Sequence, residues 1–121
     1  MRLKSEVWVR AYLRRCQAEG VSVVIAQRGD ESAGAIFIRI DRLDGTVSLF
    51  GPVPGGMTGS ESERRWMNCF ESRAVETAEA ESYLSRQRNF DPDLWIIDVE
   101  DRAGRHFLGD SAIEKDRDHL R

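Results

Sequence analysis

The chain has 121 residues, with 18 basic and 21 acidic side chains and a net charge of −3. This length suits one domain, and the acidic balance disfavours a dedicated nucleic-acid binder, because phosphate neutralisation calls for a basic excess. Two cysteines are too few for the disulfide framework of a small secreted domain, and no apolar run approaches the roughly 20 residues of a membrane helix.

The first predicted element is an amphipathic helix. Ser5 is a favourable N-cap residue, and Gly20 supplies the left-handed conformation that commonly ends a helix. Because this N-terminal segment is amphipathic, it lacks the long apolar core of a signal peptide. Together with two free cysteines, this predicts a cytoplasmic protein without membrane contact. The apolar stripe of the helix has helical spacing and comprises Val9, Tyr12, Leu13 and Cys16.

Three strands are predicted next, and we expect them to form an antiparallel meander. In the second strand Ile36, Ile38 and Ile40 alternate with Phe37 and Arg39, which is typical of a strand with two different faces. An Asp-Gly pair favours a tight turn before the third strand. The three predicted strands cover residues 21–26, 34–40 and 46–50.

A loop rich in glycine and proline follows at residues 51–63, and we predict that it is mobile. It lacks the Gly-Lys-Ser/Thr ending of a P-loop and the glycine spacing of a dinucleotide fingerprint, so we expect no nucleotide cofactor. A fourth strand is predicted at residues 66–70. A second helix is predicted from Ser72 to about Arg88, with a thin apolar face that includes Ala80 and Leu84.

The most apolar run of the chain lies at residues 94–99 and is predicted to be a strand buried on both faces. Trp95, Ile97 and Val99 would point to one side of the sheet, because successive strand side chains alternate. A short edge strand at residues 105–108 is predicted to pair back onto it.

These elements predict an α+β fold in the order αββββαββ. We expect a mostly antiparallel sheet of five to six strands, with both helices packed on one face. A crossover from the fourth strand through the second helix to the buried strand would add one parallel pair. The single domain would cover residues 1–108, and residues 109–121 would form a polar C-terminal tail.

Several strings along the chain resemble a small, uncharacterised bacterial family, a domain of unknown function found chiefly in alphaproteobacteria. The resemblance extends over most of residues 2–108 and implies a cytoplasmic α+β protein, without implying an activity. The strings that carry it lie at residues 2–9, 12–16, 30–51, 90–95 and 99–102.

Four carboxylates beside the buried strand are the sharpest candidates for chemistry. Two acids about 7 Å apart along a strand can hold a hydrated Mg²⁺ ion, and the pattern faintly resembles a metal-dependent nuclease. No lysine lies near, and the neighbouring arginine is a poor substitute because it keeps its proton. Pairing of the acids with arginines is the competing interpretation. The four candidate metal ligands are Asp91, Asp93, Asp98 and Glu100.

No catalytic cluster is recognisable, so the leading hypothesis is a non-enzymatic interaction module without a cofactor. Its partner would be an unknown protein or a second copy, bound at an uncovered sheet edge or near Trp8. The alternatives are the metal-dependent hydrolase and an RNA contact through the basic face of the first helix, although a solvated helix face is the preferred explanation of that face, given the acidic total. The tentative contact residues are Lys4, Trp8, Arg10, Arg14 and Arg15.

Overall fold

The computed structural model describes residues 3–54 and 64–114. Within these two ranges, two helices and six strands appear in chain order, followed by a 3-10 turn at Asp110–Ala112. Their bounds are α1 Ser5–Ala18, β1 Ser22–Gln27, β2 Ile36–Asp41, β3 Thr46–Pro52, β4 Trp66–Asn68, β5 Val75–Glu76, α2 Thr77–Phe90 and β6 Trp95–Glu100. Within the described residues, no helix is long and apolar enough to cross a membrane.

The strands form one mostly antiparallel sheet in the order β1-β6-β2-β3-β4, with β5 paired to β3. The α+β class and the hairpin of β2 and β3 are thereby confirmed. The prediction of a three-stranded meander is wrong, because β6 lies between β1 and β2. Strand β6 is antiparallel to β1 and parallel to β2. The parallel partner of β6 is therefore β2 rather than β4. An interior position in the sheet allows both apolar faces of β6 to be covered and shielded from water. At the edge of the sheet, this cover would be less complete.

The two helices lie on opposite faces of the sheet, so the prediction of one shared face is wrong. On β6, Trp95, Ile97 and Val99 pack with residues of α1, while Ile96 and the preceding Leu94 pack with Leu84 of α2. The predicted alternation of β2 and β6 is confirmed. It also explains the layering, because a strand that is apolar on both sides needs a cover on each.

Both helices begin differently from the prediction. The cap of α1 is Lys4, and Ser5 is completely buried inside the helix, where its hydroxyl donates to the carbonyl of Gly34 at 2.7 Å. Helix α2 begins at Thr77 instead of Ser72, because the preceding residues Val75–Glu76 pair with β3. In α1 the N–H groups of Ser5 and Glu6 donate to the carbonyls of Ser32 and Glu31, and in α2 the preceding residues pair with β3. Long-range hydrogen bonds thus take the place of a side-chain cap at both helices.

The segment after β6 does not form the predicted edge strand. It crosses α1 instead, where Tyr12 donates to the carbonyl of His106 at 2.7 Å and Arg15 donates to the carbonyl of Phe107 at 2.8 Å. Residues 109–114 continue to the other end of the sheet, and the Glu114 N–H donates to the carbonyl of Trp66 at 2.7 Å.

The division of the chain at residue 108 and the mobility of the 51–63 loop remain predictions. The first two residues of that loop belong to β3. Residues 55–63 and 115–121, which make up most of the predicted loop and half of the predicted tail, lie outside the described residues.

Candidate functional site

The four candidate metal ligands fall into two pairs at opposite ends of β6. Asp91 and Asp93 precede the strand, whereas Asp98 and Glu100 lie near its other end. The five-residue separation of Asp93 and Asp98 corresponds to about 16 Å along an extended chain. In residues 3–54 and 64–114, no group of three or more His, Cys, Asp and Glu side chains is placed to hold a metal ion.

Asp98 is held by an arginine where the strand emerges from the sheet. Arg39 donates to its two carboxylate oxygens at 2.8 and 3.2 Å, and Arg39 also donates to Glu81 at 2.8 Å. Burial alone would lower the pKa of Arg39, but the bonds to Asp98 and Glu81 outweigh it and raise that pKa. This pairing ties α2 to the sheet and is the arrangement expected of a structural carboxylate.

At the other end of β6, the Asp91 carboxylate and the Asp93 backbone organise the chain that leads into the strand. The Asp91 side chain accepts a hydrogen bond from the Asp93 N–H at 3.0 Å, which forms a local turn. The carbonyl of Asp93 accepts from the Asp30 N–H at 2.9 Å. These contacts fasten the loop between β1 and β2 to the start of β6.

The aromatic residue of the predicted contact surface lies partly inside the molecule. Trp8 stacks on Tyr12 with ring centroids 5.1 Å apart and contacts Trp66 at 5.0 Å. It therefore connects α1 to β4. Among the predicted basic residues, Arg15 binds the carbonyl of Phe107, and Arg10 pairs with Glu6 at 2.7 Å.

The remaining two predicted contact residues, Lys4 and Arg14, have exposed side chains. Glu6 lies between two arginines, because Arg28 also donates to it at 2.8 Å. Hydrogen bonds from Arg28 and from Arg10 lower the pKa of Glu6. The net charge of the α1 surface is thus smaller than its row of arginines indicates, which weakens its case as an RNA contact.

The outer edge of β1 is the most accessible apolar feature of the sheet. Strand β1 pairs with β6 on one side, and no strand within residues 3–54 and 64–114 pairs with its other side. Val24 is 54% exposed and Ile25 is 37% exposed. No charged side chain occurs from Ser22 to Gln27, and an irregularity in the register follows Ile25. An edge of this kind presents unpaired backbone N–H and C=O groups that another strand can use.

The sequence predicted an uncovered sheet edge but did not identify β1 as the strand that forms it. The composition of β1, apolar and β-branched, is the one expected of an interior strand. The signal that would have identified the edge is the position of β6, and that position depends on pairing between distant parts of the chain.

The two cysteines are placed as the sequence predicts, as small apolar side chains. Cys16 lies in the core beneath α1, and burial raises the pKa of its thiol. Cys69 packs against the core beneath α2, and burial raises its pKa to about 11. A thiol with a raised pKa holds little thiolate near neutrality and is a poor nucleophile.

We therefore expect both thiols of the native protein to react slowly with a thiol-specific reagent at pH 8. For Cys69 the raised pKa alone reduces the thiolate fraction by about 100-fold relative to a free cysteine. Absorbance from a chromogenic disulfide, followed in native buffer and in denaturant, measures the effect. Cys69→Ala isolates Cys16. Reaction of the native protein at the rate of the denatured chain would contradict the prediction.

Comparison with known proteins identifies the family to which this chain belongs. The family model described as a protein of unknown function (DUF1491) matches residues 3–109. The chain belongs to the DUF1491 family. This confirms the predicted membership in a bacterial family of unknown function, and it assigns no reaction to the protein.

Solved DUF1491 structures resemble the fold described above. A crystal structure of a family protein from Caulobacter crescentus is 34% identical, with a TM-score of 0.75, and the match covers 95% of this chain and all of that one. A solution structure of a protein from A. tumefaciens is 40% identical, with a TM-score of 0.71, over 83% of this chain and 86% of that one. The search of curated proteins finds no match.

Proposed function

We propose that this DUF1491 protein is a non-enzymatic, cytoplasmic interaction module, and that it self-associates by antiparallel pairing of the β1 edge with the same edge of a second copy. The observation that carries the proposal is the uncharged, exposed apolar edge from Ser22 to Gln27. Natural sheets commonly protect such edges with charged residues, proline or a covering segment. Here the only protective device within the strand is the register irregularity after Ile25, which confines regular pairing to Ser22–Ile25.

The charges that flank β1 favour an antiparallel partner of the same sequence. Arg28 follows the strand at one end and is exposed. Glu19 precedes the strand, and Glu100 pairs with Ser22 across the sheet, so the other end is acidic. Antiparallel pairing would bring Arg28 of each copy towards the acidic end of the other copy, whereas parallel pairing would place like charges together. A two-fold axis then closes the assembly as a dimer.

The metal-dependent hydrolase and the RNA contact receive less support. The hydrolase requires acids from both ends of β6 to meet, although Asp98 already pairs with Arg39. An RNA contact through α1 would rest chiefly on Lys4 and Arg14. The self-association proposal rests on the outer side of β1, with which no strand in the described part of the chain pairs. Of the charges that flank it, Arg28 already pairs with Glu6.

Sedimentation equilibrium tests the dimer. We expect wild-type protein at micromolar concentrations to approach twice the 13.8 kDa of the chain. Val24→Lys should weaken dimerisation by at least about 10-fold, since it places a charge from each copy within the paired edges. A wild-type protein that remains a monomer at about 100 μM, a concentration at which even weak specific dimers populate, would overturn the proposal.

Leu43→Lys is the matched control. Leu43 is 42% exposed and lies in the turn between β2 and β3, so the substitution makes the same apolar-to-cationic change away from the β1 edge. We expect its dimer to match the wild type. Equal weakening by both substitutions would indicate a nonspecific effect of charge and would contradict pairing through β1.

A further inference from the structure

A cleft with both polar and apolar lining lies on the α1 face of β3 and β4. Its volume is about 570 Å³, which is in the range of small-molecule sites. The segment after β6 forms its other wall. Sequence reasoning found no site here, because the lining residues come from four separate stretches of the chain. The residues that matter for its chemistry are Arg42, Ser48, Phe50, Asn68, His106 and Ile113.

The inner wall offers hydrogen-bond donors. The side-chain oxygen of Asn68 accepts from the Phe70 N–H at 2.9 Å, so its amide group remains as a donor. The Nδ1 atom of His106 accepts from the Leu108 N–H at 3.0 Å. In the neutral ring the proton is therefore on Nε2, which makes that atom a donor as well. Burial lowers the pKa of His106 and favours this neutral form.

The cationic group of the cleft is Arg42, whose guanidinium lies across the backbone of Gly104. A Cβ atom at Gly104 would overlap Nη1 of Arg42, so a larger residue there would require the arginine side chain to shift. Nη1 lies 3.5 Å from the hydroxyl of buried Ser48. Among residues 3–54 and 64–114, no carboxylate forms an ion pair with Arg42. The nearby carboxylate of Asp101 is bonded to Arg105 at 2.7 Å instead.

The outer part of the cleft is acidic, and this restricts the charge of a ligand. Asp110 is fully exposed, with its carboxylate 3.5 Å from Nε2 of His106. Glu114 is partly neutralised by Arg65 at 3.0 Å. Two carboxylates at the rim disfavour a dianion such as a phosphate monoester more than a monoanion. The apolar contribution to the lining comes from Phe50 and Ile113.

We propose that this cleft binds a small monocarboxylate with an apolar body. The carboxylate would accept hydrogen bonds from Arg42 and from the Asn68 amide, because a guanidinium matches the two oxygens of a carboxylate. The apolar body would lie against Phe50 and Ile113. This site is independent of the β1 edge, because β1 and β4 form opposite edges of the sheet.

Titration of the full ¹⁵N-labelled chain with benzoate, followed by NMR, tests the proposal. We expect saturable shifts of the Arg42 Nε–H and the Asn68 side-chain amide at concentrations up to roughly 20 mM, which suffices for a millimolar dissociation constant. Benzamide has nearly the same shape without the charge and should bind at least about 10-fold more weakly. Inorganic phosphate forms the third arm and should bind more weakly than benzoate.

Two substitutions complete the test. Arg42→Gln should weaken benzoate binding by at least about 10-fold, and Arg42→Lys should weaken it less, because it keeps the charge but loses the planar fork. Arg102→Gln removes the same charge from an exposed arginine of the neighbouring turn and should leave binding unchanged. The proposal is overturned if benzoate gives no saturable shift in the wild type, if benzamide binds equally well, or if phosphate alone binds.

Discussion

Replacing Trp95 by alanine is expected to lower the free energy of unfolding by about 3–5 kcal/mol. The side chain is 0% exposed, at the start of the central strand β6. It belongs to the core cluster beneath α1, and its Nε1–H donates to the carbonyl of Asp30 at 2.8 Å. The substitution would leave a large cavity and remove this bond. Urea denaturation followed by circular dichroism measures the loss.

Two further variants separate the contributions at this position. Trp95→Phe retains most of the volume but loses the donor, so we expect a smaller loss of about 1–3 kcal/mol. Phe90→Ala provides the control, because that aromatic ring is 85% exposed at the end of α2, and it should change stability by no more than about 0.5 kcal/mol. Similar losses for Trp95→Ala and Phe90→Ala would contradict a central role for β6.

Replacing Gly29 by alanine is expected to destabilise the protein by about 3 kcal/mol. A Cβ atom there would overlap the carbonyl oxygen of Asp93 and would lie 2.6 Å from the carbonyl carbon of Leu94. Both obstacles are backbone atoms, so relief requires the loop between β1 and β2 to move away from β6. That movement would strain the hydrogen bond from the Asp30 N–H to the Asp93 carbonyl. Thermal and urea unfolding provide the measurement.

Gly20→Ala is the control for this substitution. Gly20 has a φ of 78°, and nothing lies within 4 Å of a Cβ atom built there. Its cost is therefore limited to the left-handed backbone, about 1 kcal/mol. A loss at Gly29 no larger than the loss at Gly20 would show that the loop tolerates displacement from β6.

Local patterns predicted much of the fold. The alternation of Ile36, Ile38 and Ile40 identified the core face of β2, and the Asp-Gly pair identified its hairpin with β3. The apolar run at residues 94–97, which leads into β6 and forms its first half, identified a strand buried on both sides. Each of these features depends on side-chain period or turn chemistry within a few residues, so sequence suffices to predict it.

The candidate sites could not be found in this way. The carboxylates beside β6 were conspicuous in the sequence. Their spacing, however, does not reveal that Arg39 forms an ion pair with one of them, Asp98. Arg42 and His106 are 64 positions apart and line the same cleft because the segment after β6 crosses α1. Nothing near either residue in the sequence indicates the other.

The sequence by itself determined the approximate positions of both helices and of β1, β2, β3, β4 and β6, the side-chain alternation of β2 and β6, and the placement of the two cysteines as small apolar side chains. Only the tertiary structure decided that β6 separates β1 from β2, that the helices cover opposite faces, and that β1 is left as an edge. The physical reason is that period and turn chemistry act over a few neighbouring residues. Strand order instead reflects how the whole chain can bury the two apolar faces of β6 at once.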